Sequence, residues 1–216
     1  MRTSNMFVAG LFCAALLPAT GSAQRFHDFE DSWFWGVKAG VSAFSPTDGD
    51  SEVAPSFGAE WLITRTRGGL YISIDQTNVD TRSVVFDPTA DESARPVGVD
   101  KLRRLGFAAL AFPKRFGRAR PYAGLGLTVQ IIGDAYPLLY TDEDAVDDAV
   151  YDRISERSSQ AAILGMAGVQ VQLGRAALFG QASVTPASRR FLLSNALGFF
   201  EAGMRYNFGG AREGIR

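Results

Sequence analysis

The stretch Leu197-Gly-Phe-Phe-Glu-Ala-Gly-Met-Arg-Tyr-Asn-Phe208 decides the fold. Phe200, Ala202, Met204, Tyr206 and Phe208 alternate with Phe199, Glu201, Gly203, Arg205 and Asn207. A period of two sends these sets to opposite faces of an extended strand, one face apolar and the other largely polar or small. The same pattern runs from Trp33 to Phe44, where Trp33, Trp35, Val37, Ala39, Val41 and Ala43 oppose Gly36, Lys38, Gly40 and Ser42. Between these two ends the alternation predicts six more strands, near 56–66, 69–82, 101–113, 121–133, 159–173 and 176–186.

The connections order these strands. Arg67-Gly-Gly69, Lys114 to Arg120 and Gly174-Arg175 are tight turns, whereas Pro46 to Pro55, Ser83 to Asp100 and Asp134 to Ser158 are longer and polar. An even strand number with alternating short and long connections predicts an all-β chain, an eight-stranded antiparallel up-and-down transmembrane β-barrel with short periplasmic turns and long external loops. The prolines beyond the leader, at 46, 55, 88, 96, 113, 121, 137 and 186, are all expected at strand ends or in loops, because proline donates no ladder hydrogen bond. In the longest loop Thr141 and Asp144 resemble a capping box, and Ala145, Val146, Ala149, Val150 and Ile154 recur at helical spacing. A short amphipathic helix on the outer rim is expected there. Its acids, Asp142, Glu143, Asp144, Asp147 and Asp148, lack the glycine and spacing of a calcium loop, so they are expected to be solvated.

Composition bounds the function. The 216 residues are 46% hydrophobic, which excludes a disordered chain. A net charge of -1 leaves no basic excess for nucleic acid. Arg2, the apolar run Met6 to Leu17 and the small residues up to Ala23 read as a secretory signal peptide over 1–23. Its removal takes away the single cysteine, Cys13, so no disulfide is expected. An amino-terminal periplasmic arm (24–32), the barrel (33–208) and a periplasmic tail (209–216) follow, and the protein is expected in the outer membrane of a Gram-negative type of cell.

The facing of the strands separates this reading from a soluble lipocalin-like barrel. The apolar face carries aromatics at strand ends, and Trp33, Trp35, Tyr206 and Phe208 form the expected periplasmic girdle at a membrane interface. The other face is rich in glycine and holds Lys38, Glu60, Asp75, Arg104, Glu201 and Arg205. An eight-stranded interior is just wide enough to be filled by side chains, and charges placed there must pair. Leu62, Leu110, Leu164, Met166 and Phe179 share this inward face. Arg82, Lys101, Arg103, Arg189 and Arg190 are expected near the outer rim, either as plain solvated charges or as contacts to lipopolysaccharide phosphates, which the arginine fork suits.

Three segments carry a resemblance: Arg120-Pro-Tyr-Ala-Gly-Leu-Gly-Leu127, Gly165-Met-Ala-Gly-Val-Gln-Val171 and the terminal strand Phe200 to Phe208. The chain resembles the small outer-membrane β-barrel family that includes the OmpA transmembrane domain, OmpX and OmpW. The terminal strand resembles the signal read by the barrel-insertion machinery, although Gly209 to Arg216 follow the usual terminal aromatic. The resemblance implies outer-membrane lipid, lipopolysaccharide and that machinery as partners, a monomeric state, and no cofactor or metal. Outer-membrane enzymes of this general kind use a histidine base, and the single histidine here, His27, precedes the first strand, so no catalytic residue is expected. Two functions remain open. One is a structural or surface-interaction protein of the envelope, and the other is a narrow passage for small, hydrophobic solutes like that suggested for OmpW relatives.

Overall fold

The computed structural model describes residue 29 and residues 31–46, 51–86, 94–139, 144–188 and 191–210. The expected signal peptide, His27, Thr141, Arg189, Arg190 and the tail from 211 lie outside the described residues. Eight strands are present: β1 (Ser32–Pro46), β2 (Glu52–Thr64), β3 (Gly68–Phe86), β4 (Ala94–Ala111), β5 (Ala119–Pro137), β6 (Ser159–Leu173), β7 (Ala176–Pro186) and β8 (Leu193–Gly210). Each pairs antiparallel with its sequence neighbour, and β8 pairs back onto β1, so the sheet closes into a barrel. Closure pairs each strand on both sides over most of its length.

The alternation sorts outward from inward residues. Trp35, Val37, Leu70, Ile74, Leu125, Leu127, Ile163 and Phe200 are exposed, while Lys38, Asp75, Arg104 and Arg205 are buried. Such a chain is apolar outside and polar inside, which suits hydrocarbon around it and would be costly in water. The aromatic belt is larger than the sequence pattern announced. Trp33 and Trp35 are joined by Trp61 of β2, with ring centroids 5.5 Å and 5.7 Å away. Tyr206 and Phe208 pack edge to face at 5.1 Å.

Several boundaries differ from expectation. The polar stretch Ser83 to Asp100 was expected to be loop, yet Ser83–Phe86 continue β3 and Ala94–Asp100 begin β4. Val85, Val97 and Val99 are fully buried there, so the extension is held by its own inward apolar face. Pro55 and Pro96 therefore lie inside strands. Both are tolerated because each sits just outside a second ladder, the β2–β3 pairing starting at Ser56 and the β4–β5 pairing at Val97. β8 reaches Gly210, two residues beyond the expected end of the barrel. The helix α1 (Asp144–Arg157) also departs from expectation, because it packs over the barrel mouth instead of lying on the outer rim.

Candidate functional site

The inward face stacks three layers. At the end of the tight turns Phe34, Leu62, Leu110, Phe112, Leu164 and Met166 form an apolar floor. Phe29 of the amino-terminal arm inserts into it, 4.9 Å from the Phe112 ring and 5.6 Å from Phe34. Thr64 reaches back to the Phe29 carbonyl and fixes the arm. At the end of the long connections Val97, Val99, Leu102, Ile132, Leu193 and Phe199 form an apolar ceiling. Val150 and Ile154 of α1 close it from above, and Ser83 donates to the Leu192 carbonyl at 2.6 Å, tying the last loop to β3.

Between floor and ceiling lie the six inward charges named from the sequence. They come from β1, β2, β3, β4 and β8, and register brings them together: Asp75 faces Arg104 across the β3–β4 ladder, and Glu60 and Arg205 both flank Gly36. Lys38 Nζ lies 2.8 Å from Asp75 and 2.9 Å from Glu201. Arg104 bridges the same two carboxylates at 2.8 Å and 3.0 Å. Arg205 pairs with Glu60. Three cations thus meet three carboxylates, and all six side chains are essentially without solvent.

Neutral groups knit the two halves into one network. The Tyr71 hydroxyl accepts from Lys38 at 2.9 Å and donates to Glu60 at 3.1 Å. Gln181 donates to Tyr71 and Glu201 and accepts from Tyr122 at 2.9 Å. Arg205 also donates to Gln170 at 2.7 Å. Aromatic faces cover the cations, with Arg104 over Phe199 at 3.6 Å and Arg205 over Phe179 at 4.0 Å. Tyr71, Gln170 and Gln181 were not singled out from the sequence. Their inward phase was visible, but that they join charges from opposite walls is a property of the closed barrel.

The basic residues of the external rim divide. Arg82 and Arg103 project outward from β3 and β4 and are exposed. Lys101 is engaged with Asp134 of β5 at 2.6 Å. Arg189 and Arg190 lie outside the described residues.

One wall is less regular. The β6–β7 ladder covers Gly165 to Leu173, so the external half of β6 rises above the short β7. The break is crossed by Ser188 N–H donating to Gln160 at 2.9 Å and Leu192 N–H donating to the Arg157 carbonyl at 3.3 Å.

The closed eight-stranded antiparallel barrel, apolar outside, with an ion-paired interior and tight turns at one end, has the architecture of small outer-membrane β-barrels. The fold is similar to that of Neisserial surface protein A, with a TM-score of 0.57, 13% identity, 82% of this chain covered and 97% of that one. It is also similar to Ail, the attachment invasion locus protein of Yersinia pestis, with a TM-score of 0.50, 11% identity and coverage of 83% and 99%. No protein-family model and no curated protein matches the sequence.

Proposed function

We propose that this chain is a structural and surface-interaction protein of the outer membrane, without catalytic activity, whose barrel is a solid anchor for its external loops. The observation that carries this reading is the filled lumen: a buried, charge-balanced network sealed by apolar layers on both sides. An ion entering the barrel would have to cross apolar layers and compete with fully paired charges, each step costing several kcal/mol. Planar-bilayer recordings are therefore expected to show no discrete open levels. Reproducible single-channel steps would overturn the proposal.

Arg82 and Arg103 face outward from β3 and β4 and are exposed, and bidentate pairing with phosphate anions is the arginine fork's strength, which supports lipopolysaccharide as their partner. The double substitution Arg82→Ala with Arg103→Ala is expected to reduce co-purified lipopolysaccharide roughly 25-fold while the barrel stays folded, each exposed contact being worth about 1 kcal/mol. Unchanged lipopolysaccharide would remove this part of the reading.

The break between β6 and β7 favours a second reading, a lateral passage for small hydrophobic solutes. It ranks below the first because backbone and side-chain bonds cross the break, and the interior carries the packed Leu164, Leu197 and Phe199.

A further inference from the structure

The charges of the two barrel ends have opposite sign. The external connection from 134 to 158 holds eight acids against Arg153 and Arg157. The three periplasmic turns, 65–67, 112–118 and 174–175, hold Arg65, Arg67, Lys114, Arg115, Arg118 and Arg175 and no acid. With little net charge on the whole chain, this separation is a feature of the fold's two ends.

The basic residues of two neighbouring turns converge. The β2–β3 and β4–β5 turns enclose a recess of about 330 Å³ lined by Thr66, Arg67, Lys114, Arg115 and Arg120, with Phe112 and Pro113 as its apolar side. Backbone bonding fixes the two turns against each other, the Phe112 N–H donating to the Arg67 carbonyl at 2.9 Å. The Arg120 guanidinium lies over the Phe29 ring, 4.1 Å from its centroid, and Arg65 is held by Asp31 at 2.6 Å. The guanidiniums and hydroxyl suit a phosphate monoanion or diester, which takes several donors at once.

One residue separates a soluble anion from a lipid. Phe116 stands at the tip of the β4–β5 turn, 62% exposed, between Lys114 and Arg118. Gly117, with φ of 60°, turns the chain back there, and the Lys114 ammonium lies 6.0 Å from the Phe116 ring. An exposed aromatic interleaved with cations, at the same end of the barrel as the Trp33, Trp61 and Phe208 belt, is the pattern of a bilayer interface. A free anion gains nothing from it.

We propose that the recess between the β2–β3 and β4–β5 turns binds the phosphate headgroup of an anionic phospholipid in the periplasmic leaflet, with Phe116 entering the interface beside it. Arg67 and Lys114 supply the exposed donors, Thr66 adds a hydroxyl, and Arg120 is pre-positioned by Phe29. The test uses the full barrel in neutral detergent, titrated with phosphatidylglycerol or phosphatidylcholine, with retained lipid counted by native mass spectrometry. Phosphatidylglycerol is expected to be retained preferentially. The pair Arg67→Gln and Lys114→Gln is expected to lower its retention roughly 25-fold, about five-fold for each cation removed near a membrane surface. Both residues are exposed, and heat-modifiable gel migration reports that the variant is folded. Phe116→Ser is expected to weaken phosphatidylglycerol retention while leaving inorganic phosphate binding unchanged. Equal retention of the two lipids, or unchanged retention in the double variant, would overturn the proposal. Displacement of phosphatidylglycerol by equimolar inorganic phosphate would do the same, and would assign the recess to a soluble anion.

Discussion

Replacing Arg205 with Met is expected to destabilise the barrel by about 3–5 kcal/mol, since it leaves Glu60 buried without its cation. Arg205 is fully buried, pairs with Glu60, and donates to Gln170, Tyr122 and Gln181. Methionine keeps much of the apolar stem and removes the charge, the donors and the guanidinium that lies over Phe179. The Tyr71 hydroxyl still reaches Glu60, but one neutral donor does not replace a guanidinium. The loss is read as a shift in the urea midpoint of the folded band in phospholipid vesicles. The double variant Arg205→Met with Glu60→Gln is expected to recover a large part, because the uncompensated charge is then gone. A double variant no more stable than the single one would show that the ion pair is not the source. As a contrast, Lys101→Ala breaks a pair at the exposed rim and should cost less than about 1 kcal/mol.

Gly126→Ala is expected to cost about 3 kcal/mol, for a reason unrelated to charge. A β-carbon there would lie 1.8 Å from the Phe107 carbonyl oxygen and 2.6 Å from the Ala108 Cα. Both contacts are backbone of the neighbouring strand, which no rotamer change can move aside. Relief requires separating β4 from β5, whose ladder runs through Ala108 and Gly126. Gly180→Ala is the matched control, since nothing lies within 4 Å of its β-carbon and a change of no more than about 0.5 kcal/mol is expected. Equal midpoints for the two variants would refute the steric account.

The inward residues illustrate how far local pattern reaches. Lys38, Glu60, Asp75, Arg104, Glu201 and Arg205 are readable as inward because each occupies the polar phase of an alternating strand, and side-chain direction along a strand is a local property. Which carboxylate meets which cation is not local. Glu201 joins Lys38 and Arg104 only because β8 closes on β1, and a slip of one residue in any ladder would turn that strand's charges toward lipid. The extensions of β3 and β4 were hidden for a related reason. Arg95, Pro96 and Asp100 give the stretch a loop composition, and the contribution of Val85, Val97 and Val99 becomes visible only when an opposing wall supplies their partners.

The candidate sites divide along the same line. The girdle residues Trp33, Trp35, Tyr206 and Phe208 could be named from position on the first and last strands, but Trp61 joins them because β2 pairs with β1 in the register Trp35 to Trp61. Phe29 precedes the first strand and shows no periodicity at all, yet it completes the periplasmic floor and orients Arg120. The helix could be anticipated from Val146, Val150 and Ile154, whereas its place over the lumen follows from the apolar ceiling it covers.

By itself, then, the sequence determined the strand number, the antiparallel order, the two faces and the inside-out polarity, because alternation and loop length act over a few residues. The tertiary structure alone decided that the interior is a sealed, charge-balanced network and that basic turns converge into a recess at one end. The network depends on register and closure, which bring residues more than a hundred positions apart within hydrogen-bond distance, and the recess on the β3–β4 pairing that sets two turns side by side; no periodicity along the chain encodes either.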